Sequence, residues 1–296
     1  MGKVGNHGIS QDEQNQRYLE ERKNHYESVV KKLTIMDDVF MRNVLKKKSC
    51  TEYILQIIMG EKNLRVIDQV LQKDYKNLQG KSAILDCVAV NAEGKEINVE
   101  FQHEDQGASP KRARYHSGLL DMNTLEPGQD FSKLPESYVI FITRGDVLGY
   151  GLPIYHVERK IEEVEKNFKD EAHIIYVTGS NRADTELGRL MHDLNCKNPS
   201  EMHSAILAER VYELKETPEG VEIMCNEMQK ILDEGIEIGT ERGIEKGIKK
   251  GIEQGIEKGI KLCQGFGSSR ELAKHKIMEE FSLSAEQAEE KLNLYW

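Results

Sequence analysis

The stretch ILDCVAVNAEGKEINVEFQ, Ile84 to Gln102, decides how the rest of the chain is read. Its first arm, Ile84 to Val90, is small and apolar except for Asp86. Asn91-Ala92-Glu93-Gly94-Lys95 carries turn chemistry. The second arm, Glu96 to Gln102, alternates polar and apolar residues at period 2. The pattern predicts a β-hairpin with Glu100 and Gln102 on one face and Val99 and Phe101 on the other. Loop length sets the register. An odd loop, such as 91–95, makes Val90 face Glu96 and puts Asp86 opposite Glu100; an even loop sends the two carboxylates to opposite faces. Opposed side chains have Cβ atoms about 4.5–5.5 Å apart. Carboxylates that close repel unless a proton or cation lies between them, and hard divalent ions such as Mg²⁺ take oxygen ligands of this kind. With the odd loop, Asp86 and Glu100 are candidate metal ligands.

Downstream, Gly107 and Pro110 mark a loop, and a helix is predicted from about Lys111 to Met122 with Leu119 and Leu120 on its buried side. Lys111, Arg112 and Arg114 put three cations in its first turn. They suit phosphate contacts, and equally a solvated charge cluster. Ser137–Thr143 (SYVIFIT) and His173–Thr178 (HIIYVT) are continuous apolar runs, the pattern of buried strands. Between them Val157–Phe168 (VERKIEEVEKNF) reads as an amphipathic helix. Strand, helix, strand predicts parallel pairing through a right-handed crossover. Thr185–Leu194 and Met202–Leu214 read as two further helices.

Upstream, residues 1–33 form a polar leader that turns helical from about Gln14 to Lys32. A helical stretch runs from Asp37 toward Leu45. The run Lys46-Lys47-Lys48 suits a solvated face or a phosphate contact. Thr51–Met59 has helical spacing, with Thr51 as the expected cap and Gly60 as the stop. Glu52 in its first turn favours the helix dipole, or supplies a third acid. Leu64–Leu71 is compatible with a strand, and 74–81 is a polar connection into the hairpin.

From Glu234 glycine recurs every four residues in GIEIGTERGIEKGIKKGIEQGIEKGI, at Gly235, Gly239, Gly243, Gly247, Gly251, Gly255 and Gly259, each followed by isoleucine except Gly239, which Thr240 follows. Four residues advance about 400° on a helix, so the stripe drifts about 40° per repeat and winds right-handed. Each glycine costs about 1 kcal/mol relative to alanine. The repeat is therefore either a helix covered along its glycine groove, as in self-association, or a frayed spacer. Cys263–Ser269 breaks it, and Arg270–Trp296 reads as a helical pair with Ser284 and Gln287 as a capping box.

The 296 residues allow one sizeable domain plus appendages. A formal charge of −10 excludes a globally basic nucleic-acid binder but not a local basic cleft. Five scattered cysteines without CxxC spacing suit a reducing cytoplasm. The first residues have no apolar core, so no signal peptide is read there, and no run of about 18 apolar residues predicts a membrane span. GxxxxGK[ST], GxSxG and HExxH are absent. His103, His116, His156 and His192 lack ligand spacing and read as surface or core residues; His116 faces the acids if its helix docks over the hairpin.

With these residues assembled, the chain resembles the PD-(D/E)XK nuclease family transposases, the group of Rpn-like recombination-promoting nucleases, from about Met36 to Leu214. The carriers are Asp38-Val39-Phe40, LDCVAVNAEGKEINVEFQ, KRARYHSGLLD, LPESYVIFITRGDVLGYGLPIYHVER and HIIYVTGSNRADTELGRLMHDL. The resemblance implies an α/β fold: a mixed central sheet flanked by helices, the restriction-endonuclease-like core, followed by the long Gly-Ile repeat helix and a small C-terminal helical region. The implied parts are a leader at 1–33, the nuclease-like domain at 34–215, a helical linker with the repeat at 216–262, and the helical region at 263–296. It further implies Mg²⁺-dependent hydrolysis of phosphodiester bonds in DNA, with Mn²⁺ as the alternative ion. Asp86 and Glu100, with the Phe101 carbonyl, would hold the metal. Gln102 stands where the superfamily usually has lysine and would orient water or a phosphate oxygen without supplying charge. Arg112, and less directly Arg114, would position the DNA backbone. Glu52 matches a helix glutamate that some members add. The rival expectation is a weak or inactive nuclease-fold protein that binds DNA or self-assembles through residues 235–260.

Overall fold

In the computed structural model, which describes residues 11–75, 83–102 and 105–296, the hairpin has the register of the odd loop. β2 (Ala83–Asn91) and β3 (Glu96–Gln102) pair antiparallel, with Val90 facing Glu96 and Cys87 facing Val99. Asn91 sets the turn: its side-chain oxygen accepts the N–H groups of Glu93 (3.0 Å) and Lys95 (2.9 Å). Gly94 supplies the left-handed residue, φ 85°. The first ten residues of the leader, most of the 74–81 connection, and His103 lie outside the described residues.

The hairpin is the middle of a six-stranded mixed sheet. β1 (Val66–Tyr75) flanks β2 antiparallel, and β4 (Ser137–Thr143) flanks β3 in parallel. β5 (Ile154–Val157) and β8 (Ala172–Thr178) complete the order β1-β2-β3-β4-β8-β5. The two apolar runs thus pair in parallel, as their burial demands.

Helices cover both faces. α1 (Gln11–Val30), α2 (Asp38–Leu45), α3 (Lys48–Met59), α5 (Glu186–Asn195) and α6 (Ala205–Glu216) lie on one side. Their Val30, Phe40, Leu55, Leu190 and Val211 pack with Cys87, Ile97, Val99, Ile140 and Val177 of the sheet. Burying each such side chain is worth about 1.5–3 kcal/mol. On the other side α4 (Pro110–Thr124) sets Leu119 and Leu120 on Val139, Phe141 and Tyr176.

Local expectations need correction at two places. Val157–Phe168 is not a helix. Val157 ends β5, and β6 (Lys160–Ile161) with β7 (Lys166–Asn167) forms a small hairpin. Ile161, Val164 and Phe168 stay exposed, so the apolar stripe of a helix would have had nothing to cover. The crossover between β4 and β8 therefore carries strands. Second, α3 starts at Lys48, with Lys47 as its N-cap residue, which puts Thr51 inside the helix and buried, and moves Glu52 past the first turn. The glycine repeat does form the expected long helix: α7 runs Pro218–Gly265 without a break.

The chain divides into two compact units, the second comprising Gln229–Trp296. In that unit Ile256 and Ile260 of α7 pack on Ala273 and Ile277 of α8 (Arg270–Phe281) and on Ala288 and Leu292 of α9 (Ala285–Tyr295). This packing holds the last turns of the glycine-rich helix. Glu253 anchors Lys291 (2.7 Å) and the Tyr295 hydroxyl (2.6 Å). The Ser284–Gln287 capping box forms. Among the described residues no helix is long and apolar enough to cross a membrane.

Candidate active site

β3 buries a polar face. Ile97, Val99 and Phe101 enter the larger core, and the alternation turns Glu96, Asn98, Glu100 and Gln102 toward α4. Asn98 and Glu100 are fully buried. Buried polar groups are costly unless hydrogen-bonded; here neighbours bond Glu96 and Glu100, while Asn98 Oδ1 has no partner among the described residues. The Thr124 hydroxyl donates to Glu96 (2.6 Å), and the Asn98 amide donates to Glu100 Oε1 (3.1 Å). Thr124 and Arg112 thus fasten α4 to β3 near its two ends.

Asp86 sits where the sheet is interrupted. Opposite it on β1, Gln72 has φ 52°, and the β1–β2 ladder skips this position. Leu85 and Val88 join the same core cluster although three residues apart, where unbroken alternation would place them on opposite faces. Freed from regular pairing, the Asp86 carboxylate accepts the Phe101 N–H (2.9 Å), and the Asp86 N–H donates to Glu100 Oε1 (3.3 Å). The two acids are thereby tied to each other's strand. Burial first, and the neighbouring Glu100 second, push the Asp86 carboxyl up to about 7, against the opposing pull of the Phe101 N–H. Gln72 also donates to Asp86 and to Asp38 of α2, both at 3.3 Å. Asp38 is a third acid at this edge that β-strand alternation could not have indicated.

Arg112 is the hub on the α4 side. Its guanidinium contacts Glu100 Oε2 (3.5 Å), Gln102 Oε1 (3.5 Å) and the Gly107 carbonyl (2.9 Å). Its Nε–H donates to His116 Nε2 (3.2 Å). That bond leaves Nδ1 of His116 as the protonated nitrogen, 3.6 Å from Glu100 Oε1. His116 is buried against Phe141, ring centroids 5.8 Å apart. The i, i+4 spacing of Arg112 and His116 on a helix was the sequence signal for this contact. Gly107 is needed here: a Cβ on it would stand 1.9 Å from Gln102 Oε1.

Other candidate residues go elsewhere. Arg114 is exposed and makes no hydrogen bond or ion pair among the described residues. Glu52 pairs with Arg65 and accepts the Val66 N–H (3.0 Å), so it fastens α3 to β1. Lys46 and Lys47 face Glu227, Glu209 and Glu213, and Lys48 donates to the Ile67 carbonyl (3.3 Å). The lysine run is therefore largely engaged within the protein.

The arrangement offers buried carboxylate oxygens for a hard cation, with a partly exposed guanidinium beside them for an anion. Comparisons with curated proteins and with solved structures gave no match. Residues 40–186 match the family model described as PD-(D/E)XK nuclease family transposase, and the α/β domain of this chain belongs to that family.

Proposed function

We propose that this protein is a metal-dependent DNA endonuclease that hydrolyses phosphodiester bonds, in a recombination or mobile-element setting, with Asp86, Glu100 and Gln102 as its catalytic residues. The observation that carries this reading is the mutual fastening of Asp86 and Glu100 across β2 and β3. The donor set suits Mg²⁺ or Mn²⁺: both side chains offer hard oxygens, and a cation would relieve the repulsion that helps raise the Asp86 carboxyl. Asp86 and Glu100 would hold the ion, which when bound polarises the scissile phosphate and lowers the pKa of an attacking water.

The remaining roles follow from side-chain chemistry. The Gln102 amide can hydrogen-bond a water or a phosphate oxygen but carries no charge. Arg112, beside it, carries the charge and can hold a phosphate. His116 positions Arg112 by accepting its Nε–H. Arg114, exposed on the same helix, is assigned a contact to the DNA backbone. The free cysteines suit a reducing cytoplasm.

A plasmid-nicking assay tests the proposal. Wild type with Mg²⁺ or Mn²⁺ is expected to relax supercoiled DNA, and Asp86→Asn and Glu100→Gln to lose about 100-fold or more in rate. Gln102, where a lysine would carry charge, favours a second reading in which the domain binds DNA without cutting it. DNA binding by a wild type that shows no cleavage with either ion would establish that reading and sink the first.

A further inference from the structure

The last turns of α5 carry Met191-His192-Asp193-Leu194, and the chain enters α6 through Met202-His203-Ser204. Asp193 is fully buried. Its Oδ1 accepts the His203 N–H (2.8 Å), and its Oδ2 accepts the Ser204 N–H (2.7 Å). The same Oδ1 lies 3.1 Å from Nδ1 of His192. The imidazoles of His192 and His203 stand edge to face, centroids 4.7 Å apart. One donor atom from each of the three residues lies within 4.8 Å of the others. None of them belongs to the acidic site on β2 and β3.

We propose that His192, Asp193 and His203 form a second metal site, for a borderline transition ion of the Zn²⁺ class. Two imidazoles and one carboxylate select such ions over Mg²⁺. Zn–N and Zn–O bonds of about 2.0–2.2 Å put neighbouring tetrahedral ligands about 3.3 Å apart. The His192–Asp193 spacing of 3.1 Å already meets this. His203 is exposed, so its side chain is free to rotate the remaining distance of about 1.5 Å inward. The two backbone N–H groups fix the orientation of the Asp193 carboxylate, the outer support that metal ligands ordinarily have. A carboxylate accepts about four bonds, so a metal on Oδ1 is compatible with both. The simpler account, in which Asp193 only tethers the start of α6, explains the two backbone bonds. It gives no reason for two imidazoles beside one carboxylate oxygen. A bound ion would clip the end of α5 to the start of α6 and leave a ligand position open to water.

The test uses the full, untagged chain, stripped with a chelator and kept in saturating Mg²⁺. Zn²⁺ alone is titrated in competition with a chromogenic chelator, and Co²⁺ serves as an absorption probe. One equivalent of Zn²⁺ is expected, with tetrahedral Co²⁺ bands. Affinity should fall at least tenfold in the variant carrying His192→Asn and His203→Asn, and stay unchanged in Asp86→Asn. Both histidines reach solvent, so the double variant should fold; its unfolding temperature should no longer respond to Zn²⁺ while that of wild type rises. Equal affinity and stoichiometry in the double variant, or no binding by wild type, would overturn the proposal.

Discussion

The guanidinium of Arg112 stands 3.5 Å from the amide oxygen of Gln102, so a positive charge from α4 meets the uncharged end of β3. If this charge stands in for one that the Gln102 side chain lacks, moving it onto that position should be tolerated better than deleting it. Arg112→Gln is expected to lower the cleavage rate about 100-fold. Adding Gln102→Lys to Arg112→Gln should recover at least tenfold of that loss. Plasmid relaxation rates decide the matter: a double variant as slow as the single one leaves Arg112 without this role.

Gly107→Ala separates positioning from stability. The atom an added methyl would strike is the far end of the flexible Gln102 side chain. That chain can swing aside, so the loss of stability should stay under about 1 kcal/mol. The Gln102 amide would leave its place beside Arg112, and cleavage should fall about tenfold or more. Urea denaturation and rate measurement on one preparation check both halves; a variant with full activity refutes the second.

The elevated Asp86 carboxyl makes stability depend on pH in a set direction. Its folded value, about 7, lies above its unfolded value, so the folded state holds the proton more tightly. The metal-free protein should therefore be most favoured by this group below about pH 4, and lose that contribution as pH rises through about 7. Asp86→Asn should flatten this part of the profile. Stabilisation by Mg²⁺ should grow over the same window, because binding requires the ionised carboxylate. Denaturation from pH 4.5 to 8, in chelator and in Mg²⁺, gives the answer; an unchanged slope in Asp86→Asn would contradict the assignment.

The hairpin was legible from its turn chemistry and alternation, but its register hung on loop length: the Asn91 side chain closes the five-residue loop that makes Val90 face Glu96. The parallel strands β4 and β8 were legible as apolar runs. The segment 157–168 was not, since Glu and Lys at helical spacing describe a helix surface regardless of whether any core lies beneath. Here β5 had already found a partner in β8, and Glu165, Lys169 and Glu171 adopt left-handed backbone that no α-helix contains. Asp86 and Glu100 could be named from the sequence. The Asp38–Gln72–Asp86 contact could not, because it depends on an interruption in β1 that no spacing rule encodes.

The glycine stripe of α7 should matter between copies of the chain. A Cβ at Gly239, Gly243 or Gly247 would meet nothing within 4 Å, so the chain itself does not require glycine there. Alanine at all three should strengthen the helix by about 1 kcal/mol per site. If the groove is a self-association surface, the same change should weaken it. Light scattering of wild type, the triple variant and a chain ending at Lys230 reports the outcome. An oligomeric state that is the same in all three argues against association through the repeat.

The left-handed turn of Gln72 also bears on how the domain survives at high concentration. β1 is an outer strand of the sheet and ten residues long, with Ile67 and Val70 exposed. Such a margin is a template on which a foreign strand can grow. A kink at Gln72 and a slipped register between Val66 and Asp68 cut it into short lengths. The irregularity that releases Asp86 from its ladder thus also guards the domain against aggregation.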